Sequence, residues 1–204
     1  IPAVVPYGGS KPCTLSTNPI SIGVPAGQGF PMVLDFATTA IAQSKAFVAR
    51  NEGKLLPPNC ILDKNGEPSR DPADLFDGGS LLPFGGHKGY AIMLADELLS
   101  RILSGADNYS EDARGGPFMR HQGVTFIVFR ADLFQPLDSF KREADQLLRD
   151  IRSVPPAPGF DRVIVPGDLE EDSRSSQQIE GITVSDVVWA DIKKVAGAVG
   201  IALS

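Results

Sequence analysis

The sequence predicts a mixed α/β fold, because short apolar runs alternate with amphipathic segments and glycine- and proline-rich connections separate them. Of the 204 residues, 42% are apolar, and 21 Gly and 17 Pro follow no repeat. This composition is typical of a folded chain with one packed core and many turns, and it excludes collagen-like and disordered proteins.

Four apolar runs predict strands. Residues 19–24 and 32–34 flank a turn at residues 27–29 and resemble a strand pair. The sequence GVTFIVF at residues 123–129 is almost continuously apolar and predicts a buried central strand. Residues 162–165 predict a short strand, and the Asn-Gly pair at residues 65–66 predicts a hairpin turn.

Four segments predict helices. Thr38 or Thr39 is a possible cap for a helix that ends near Arg50. The pattern of residues 88–103 predicts the clearest helix, in which Glu97 can pair with Arg101 four positions later. Its apolar residues form one stripe: Ala91, Leu94, Ala95, Leu98, Leu99, Ile102 and Leu103. Residues 138–152 and a segment capped by Ser185 predict two more helices.

The net charge and the cysteine content indicate which binding partners and which kinds of site are not expected. The formal net charge of -6 argues against a nucleic-acid partner, because polyanion binding needs clustered lysine and arginine. Cys13 and Cys60 are far apart in the sequence, so we expect neither a disulfide framework nor a metal site. With no apolar run of about 18 residues, we expect no membrane span and a cytoplasmic location.

The sequence GGHKGY at residues 85–90 is the first candidate site. It places His87 and Lys88 where an apolar helix begins, between glycines that allow close approach to the backbone. A lysine in a first helical turn opposes the helix dipole, and a bound phosphate or carboxylate would remove the conflict. The alternative is a solvated Lys88 and a packed His87 in an ordinary loop. Neither a GxGxxG fingerprint nor a P-loop is present.

Three further turns are candidates. Asp35, Phe36, Ala37 and Thr38 lie where a strand passes into a helix, although Asp35 could simply cap that helix. Thr17, Asn18 and Pro19 form a polar turn whose hydroxyl and carboxamide could bind a substrate carboxylate or keto oxygen, or could be only a turn. The Pro166, Gly167 and Asp168 turn could present a carboxylate to ribose hydroxyls or simply face water.

Four blocks together resemble the malate/L-lactate dehydrogenase family, which includes ureidoglycolate, diketogulonate and piperideine-carboxylate reductases. The blocks span nearly the whole chain, and LPFGGHKGY is the most specific part of the resemblance. The four blocks are residues 5–25 with LSTNPISIGVP, residues 33–45 with VLDFATTAIAQSK, residues 81–94 with LLPFGGHKGYAIML, and residues 163–168 with VIVPGD.

The resemblance implies a non-Rossmann NAD(P)-binding domain over residues 1–180. It also implies a C-terminal helix at residues 181–204, a homodimer, and NAD or NADP as cofactor. The implied cofactor contacts are Asp35, Phe36, Ala37, Thr38, His87, Lys88, Pro166, Gly167 and Asp168. The implied substrate contacts are Thr17, with Gln43 and Ser44 nearby.

One departure from the family concerns catalysis. The proton-donating histidine of such enzymes lies in a Ser-His-Gly motif ahead of these blocks, and this sequence has only His87 and His121. We therefore expect that an N-terminal portion is missing, on which the C-terminal helix would pack. We then expect this sequence to hold most of the cofactor contacts but only part of the catalytic machinery, without the proton-donating histidine.

The resemblance implies hydride transfer between NAD(P)H and the carbonyl of a small 2-oxo acid. Lys45 matches the dehydrogenase relatives better than the imine reductase and so favours hydroxy acids. Two alternatives remain at this point: a lyase that uses Lys88 as a Schiff-base nucleophile, and a nucleotide-binding protein without catalysis.

Overall fold

The computed structural model describes residues 3–106 and 122–201. The chain forms two compact units, the first comprising residues 1–24 and 33–137 and the second residues 25–32 and 138–204. Strands and helices alternate in the first unit and helices make up the second, as expected for a mixed α/β chain.

The first unit contains two small sheets. Strands β1 (Pro19–Val24) and β2 (Met32–Ala37) form one, and β1 has the predicted bounds. Strands β3 (Ile61–Leu62), β4 (Pro68–Ser69) and β5 (Ser80–Leu81) form the other, in the order β4-β3-β5 with both pairings antiparallel. The predicted Asn-Gly turn connects β3 to β4, and Gly66 there has a φ of 88°.

The described residues of the first unit also form three α-helices. Helix α1 (Gln43–Asn51) follows β2, and the short α2 (Pro72–Phe76), which the sequence did not predict, follows β4. Helix α3 (His87–Glu97) begins one residue before its predicted start and continues as a π-helical segment, Leu98–Ile102. The chain then leaves the helix near Gly105, whose φ is 66°.

The core of the first unit surrounds β3, β5 and the inner side of α3. Ile61 and Leu81 are fully buried on adjacent strands, and Met93 is fully buried on α3. The complete cluster is Val4, Leu15, Ala46, Leu56, Cys60, Ile61, Leu75, Leu81 and Met93. Burial raises the pKa of the Cys60 thiol, which therefore behaves as a small apolar side chain.

Two predictions for the first unit are wrong. Thr38 and Thr39 do not cap α1, because that helix starts at Gln43 and its N-cap, Ala42, carries no capping side chain. Residues 123–129 belong to no strand and are exposed, with Phe126 86% and Val128 90% accessible. Within residues 3–106 and 122–201 no strand pairs with this run, so the pairing that a central strand requires is missing.

The second unit contains α4 (Leu137–Arg152), α5 (Asp168–Glu180) and α6 (Asp186–Ala198). Helices α4 and α6 match their predictions, and the Ser185 hydroxyl accepts from the Val188 N–H at the start of α6. Residues 162–165 form no strand, and α5 was not predicted. The Asp145 carboxylate of α4 accepts from the backbone N–H groups of Gly27 and Gln28.

Candidate active site

Thr38 links two of the candidate turns by hydrogen bonds. It is fully buried just after β2, and its N–H and hydroxyl donate to the Thr17 carbonyl oxygen at 2.9 and 3.1 Å. Its hydroxyl also donates to the Asn18 carbonyl oxygen at 2.9 Å. Its own carbonyl oxygen accepts from the Phe84 N–H at 3.1 Å. Thr17 and the loop that leads into α3 are therefore attached to one residue.

The aromatic rings at the end of β2 support the same arrangement. Phe36 and Phe84 contact each other edge to face, with ring centroids 5.4 Å apart. Phe36 and Asp35 are nonetheless exposed, whereas Ala37 is half-buried. Asp35 lies inside β2 and does not cap a helix, which removes the structural alternative considered for it.

The first turn of α3 presents His87 and Lys88 to solvent. Gly85 and Gly86 before it have φ angles of 57° and 64°, and no side chain caps the helix. The His87 ring packs edge to face on Tyr7, at 5.7 Å between centroids. The arrangement leaves the positive end of the helix and the Lys88 ammonium accessible to an anion.

Gly89 fixes how closely α3 approaches the preceding loop. A Cβ atom at this position would overlap the Phe84 carbonyl oxygen, so only glycine fits. In the GGHKGY sequence, Gly85 and Gly86 adopt positive φ angles, whereas Gly89 allows the Phe84 carbonyl oxygen to lie close to the helix backbone. The sequence indicated glycine for ligand access, but the contact at Gly89 is internal.

Thr17 lines a cavity of about 690 Å³ in the first unit. Its other walls include Asp96 near the end of α3, Arg101 in the π-helical segment that follows, and Gln122. Burial and the neighbouring Glu97 raise the pKa of the Asp96 carboxyl. The predicted ion pair between Glu97 and Arg101 is present, at 2.6 Å.

Gln43 and Ser44 lie in the first turn of α1. Ser44 lines a different cavity, of about 330 Å³, together with Val48 and Leu56. Gln43 is half-buried. Within the described residues, neither side chain lines the cavity that contains Thr17.

In the second unit, Pro166, Gly167 and Asp168 form a tight turn into α5. Gly167 has a φ of 99°, a left-handed conformation that favours glycine. Both Asp168 carboxylate oxygens accept from Arg152, and one also accepts from the Val165 N–H. The hydrogen bonds from Arg152, the largest cause, hold the pKa of Asp168 below its ordinary value.

The role of Asn18 differs from the one that its type indicated. The sequence indicated its carboxamide as a possible contact for a carboxylate or keto oxygen, whereas its amide nitrogen donates to the Met93 carbonyl oxygen and to Glu97 Oε2. Asn18 also has a φ of 33°, which a non-glycine residue adopts rarely. The bond from the Phe84 N–H to the Thr38 carbonyl oxygen had no signal in the sequence, because it depends on backbone groups that meet only in the fold. His121 lies outside the described residues.

Comparison with known proteins explains the four blocks. A family model described as malate/L-lactate dehydrogenase matches residues 1–193. The chain belongs to the malate/L-lactate dehydrogenase family. The L-lactate dehydrogenase of Cupriavidus necator is 35% identical over 206 aligned positions, which cover 99% of this chain and 58% of that protein.

Solved structures give the same fold. The sulfolactate dehydrogenase of Methanocaldococcus jannaschii matches with a TM-score of 0.81 and 34% identity, covering 98% of this chain and 57% of that one. The delta1-piperideine-2-carboxylate reductase of Pseudomonas syringae matches with a TM-score of 0.75 and 33% identity, over 96% and 57% of the two chains. The chain therefore spans somewhat more than half the length of these relatives.

These findings give the Schiff-base alternative no support. The relatives above are named dehydrogenases and a reductase. A lysine nucleophile is normally activated by desolvation, and Lys88 is exposed.

Among the described residues, no helix is both long enough and apolar enough to cross a bilayer, and no three metal-binding side chains cluster.

Proposed function

We propose that this protein transfers a hydride between NAD(P)H and the C2 carbonyl of a small 2-oxo acid. The observation that carries the proposal is the hydrogen bonding of Thr38, which attaches both Thr17 and the Phe84 loop to one buried residue. Three of the sequence blocks typical of the family, those that contain Thr17, Thr38 and Phe84, thus meet at a single place in the first unit.

The first turn of α3 fits the phosphates of a dinucleotide. No side chain caps its first backbone N–H groups, and the exposed Lys88 adds a positive charge. We assign His87 and Lys88 to the phosphates, and Asp35, Phe36, Ala37 and Thr38 to the region beside the nicotinamide. The cofactor supplies the hydride when it is bound.

Thr17 is the proposed substrate contact. Its hydroxyl belongs to a half-buried side chain that lines the 690 Å³ cavity. A threonine hydroxyl can donate one hydrogen bond to a carboxylate or keto oxygen and thereby orient the acid. Gln43 and Ser44 remain weaker proposals, because Ser44 lines another cavity.

The turn in the second unit carries a separate proposal. We assign Pro166, Gly167 and Asp168 to the nucleotide, with Asp168 as an acceptor for ribose hydroxyls. Its carboxylate already binds Arg152 and the Val165 N–H, so a ribose would share oxygens that are held in place. Because these contacts already hold the carboxylate in one orientation, binding of a ribose would cost no further side-chain entropy at Asp168.

The substrate class is proposed from the relatives' names. They include enzymes named for L-lactate, sulfolactate and malate, which share a 2-hydroxy acid group. We therefore propose a small 2-oxo or 2-hydroxy acid as substrate and a homodimer as the working form.

Fluorescence titration tests the cofactor proposal directly. The purified protein is titrated with NADH and with NADPH, and we expect saturable enhancement or quenching with at least one of them. Lys88→Gln is expected to weaken binding about tenfold, since a hydrogen bond to a charged group contributes about 1.5–3 kcal/mol. Lys64→Gln is the matched control. Lys64 is an exposed lysine on the β3–β4 hairpin, and its ammonium pairs with the Asp77 carboxylate.

The outcomes separate the alternatives. Absence of binding by both nucleotides at millimolar concentration contradicts the proposal. Binding of a nucleotide by the full-length protein, without oxidation of that reduced nucleotide by the 2-oxo forms of lactate, malate and sulfolactate, favours the non-catalytic alternative. A covalent adduct on Lys88 after borohydride treatment with a keto acid favours the lyase.

A further inference from the structure

Asn18 connects the start of β1 to the middle of α3. It is 7% exposed, and its side-chain amide lies 3.1 Å from the Met93 carbonyl oxygen and 2.7 Å from Glu97 Oε2. A carboxamide nitrogen carries two hydrogens. Both donors of Asn18 are therefore used on one helix.

The two acceptors define one face of α3. Met93 and Glu97 are four residues apart, so they lie one turn from each other on the same side of the helix. Met93 is fully buried, and Glu97 is held on its other side by Arg101 at 2.6 Å. The amide of Asn18 thus binds the inner face of the same helix whose first turn carries His87 and Lys88.

The backbone of Asn18 is bound on the opposite side. Its carbonyl oxygen and that of Thr17 both accept from the Thr38 hydroxyl. The φ of 33° at Asn18 is unusual for a residue that precedes proline, which disfavours helical conformations at that position. A simple turn needs neither this backbone angle nor two bonds to a helix.

We propose that Asn18 is a positioning residue that couples Thr17 to α3. Through its amide it fixes the distance between the Thr17 hydroxyl and the helix that begins at His87. This inference rests on the proposed function, in which Thr17 contacts the acid and the first turn of α3 contacts the cofactor phosphates. Hydride transfer requires these two ligands at a fixed separation, and small displacements are costly.

An exchange of donor and acceptor tests the coupling. Asn18→Asp keeps the size of the side chain but faces the Glu97 carboxylate with a second one. Glu97→Gln alone leaves two amide groups, and the double variant restores one donor and one acceptor with their roles exchanged. Asn18→Gly is the companion variant, because glycine accepts a positive φ and removes only the amide.

The readout is the affinity for oxamate, a stable carboxylate analogue of pyruvate, measured on the NADH complex. We expect Asn18→Asp and Asn18→Gly to weaken oxamate about tenfold while the NADH affinity changes less than about threefold, as for loss of one positioning contact. The double variant N18D/E97Q should recover part of the oxamate affinity lost in N18D, because the bond between positions 18 and 97 is restored while the Met93 carbonyl oxygen stays without its donor. A purely structural role would instead lower both affinities in step with the melting temperature.

Residue-resolved amide exchange distinguishes failure of this inference from failure of the proposed function. The Thr38 N–H, bonded to the Thr17 carbonyl, should exchange about tenfold faster in Asn18→Gly, since local opening governs protection. If the protein binds no nucleotide, the proposed function is wrong and the exchange result alone decides the coupling. Unchanged Thr38 exchange, unchanged oxamate affinity or absence of recovery in the double variant overturns the inference.

Discussion

Arg152 and Asp168 form a bidentate ion pair in the second unit, with guanidinium nitrogens 2.7 and 3.2 Å from the two carboxylate oxygens. The pair connects the end of α4 to the start of α5. The Asp168 side chain is 18% exposed, so solvent screens the pair only in part. This contact determines the orientation of the proposed ribose acceptor.

Removing Arg152 should destabilise the second unit. Arg152→Ala leaves the half-buried Asp168 carboxylate with only the Val165 N–H as a donor. We expect a loss of about 1–2 kcal/mol in the free energy of unfolding, measured by urea denaturation. Arg149→Ala is the control, because Arg149 bonds only to the exposed Gln146 on the same helix, and its loss should change stability by less than about 0.5 kcal/mol.

Stability of the second unit should depend on acid pH through Asp168. Hydrogen bonds from Arg152 lower the pKa of this carboxyl below its ordinary value of 3.8. The folded state therefore favours the ionised form, and the stabilisation is fully present above pH 3.8 and is lost as the pH falls through the lowered value. Acid titration followed by circular dichroism should show a shallower loss in Asp168→Asn than in the wild type.

Thr38 should contribute more through its hydroxyl than through its methyl group. Thr38→Val removes a buried hydroxyl whose single hydrogen is shared between the Thr17 and Asn18 carbonyl oxygens, and should cost about 1–3 kcal/mol in unfolding free energy. Thr38→Ser retains the hydroxyl and should cost less. Equal losses in the two variants, measured by thermal and urea unfolding, would show that packing dominates at this position.

Elements with local signals could be predicted from the sequence. β1, α3, α4 and α6 carry their own periodicity or caps, and Ser185 binds the first turn of α6 as its type and place indicated. The ion pair between Glu97 and Arg101 follows from a spacing of four residues within one helix. Each of these features depends on residues close together in the chain.

Features that depend on distant partners could not be predicted. The apolar run at residues 123–129 has the composition of a central strand, but a strand also needs a neighbour, and the sequence does not identify one. Thr38 is a residue type that often caps helices, but its hydroxyl donates instead to the carbonyl oxygens of Thr17 and Asn18, which lie about 20 positions earlier. The amide of Asn18 likewise contacts α3 across 75 and 79 positions.

The close approach of Gly89 to Phe84 gives the sharpest test of the packing at the start of α3. An added Cβ would clash with the Phe84 carbonyl oxygen, which is backbone and cannot rotate away. Gly89→Ala should therefore cost at least about 2 kcal/mol in unfolding free energy, as overpacking of a tight site does, and should also weaken NADH binding.

Gly23→Ala is the matched control for that variant. Gly23 lies in β1 of the same unit, and a Cβ there meets no atom within 4 Å. Because alanine loses less backbone entropy than glycine on folding, this change should be neutral or should stabilise the protein by up to about 1 kcal/mol. If both alanine variants unfold at the wild-type urea concentration, the start of α3 does not pack tightly against the Phe84 carbonyl oxygen, and the proposed phosphate site loses its fixed geometry.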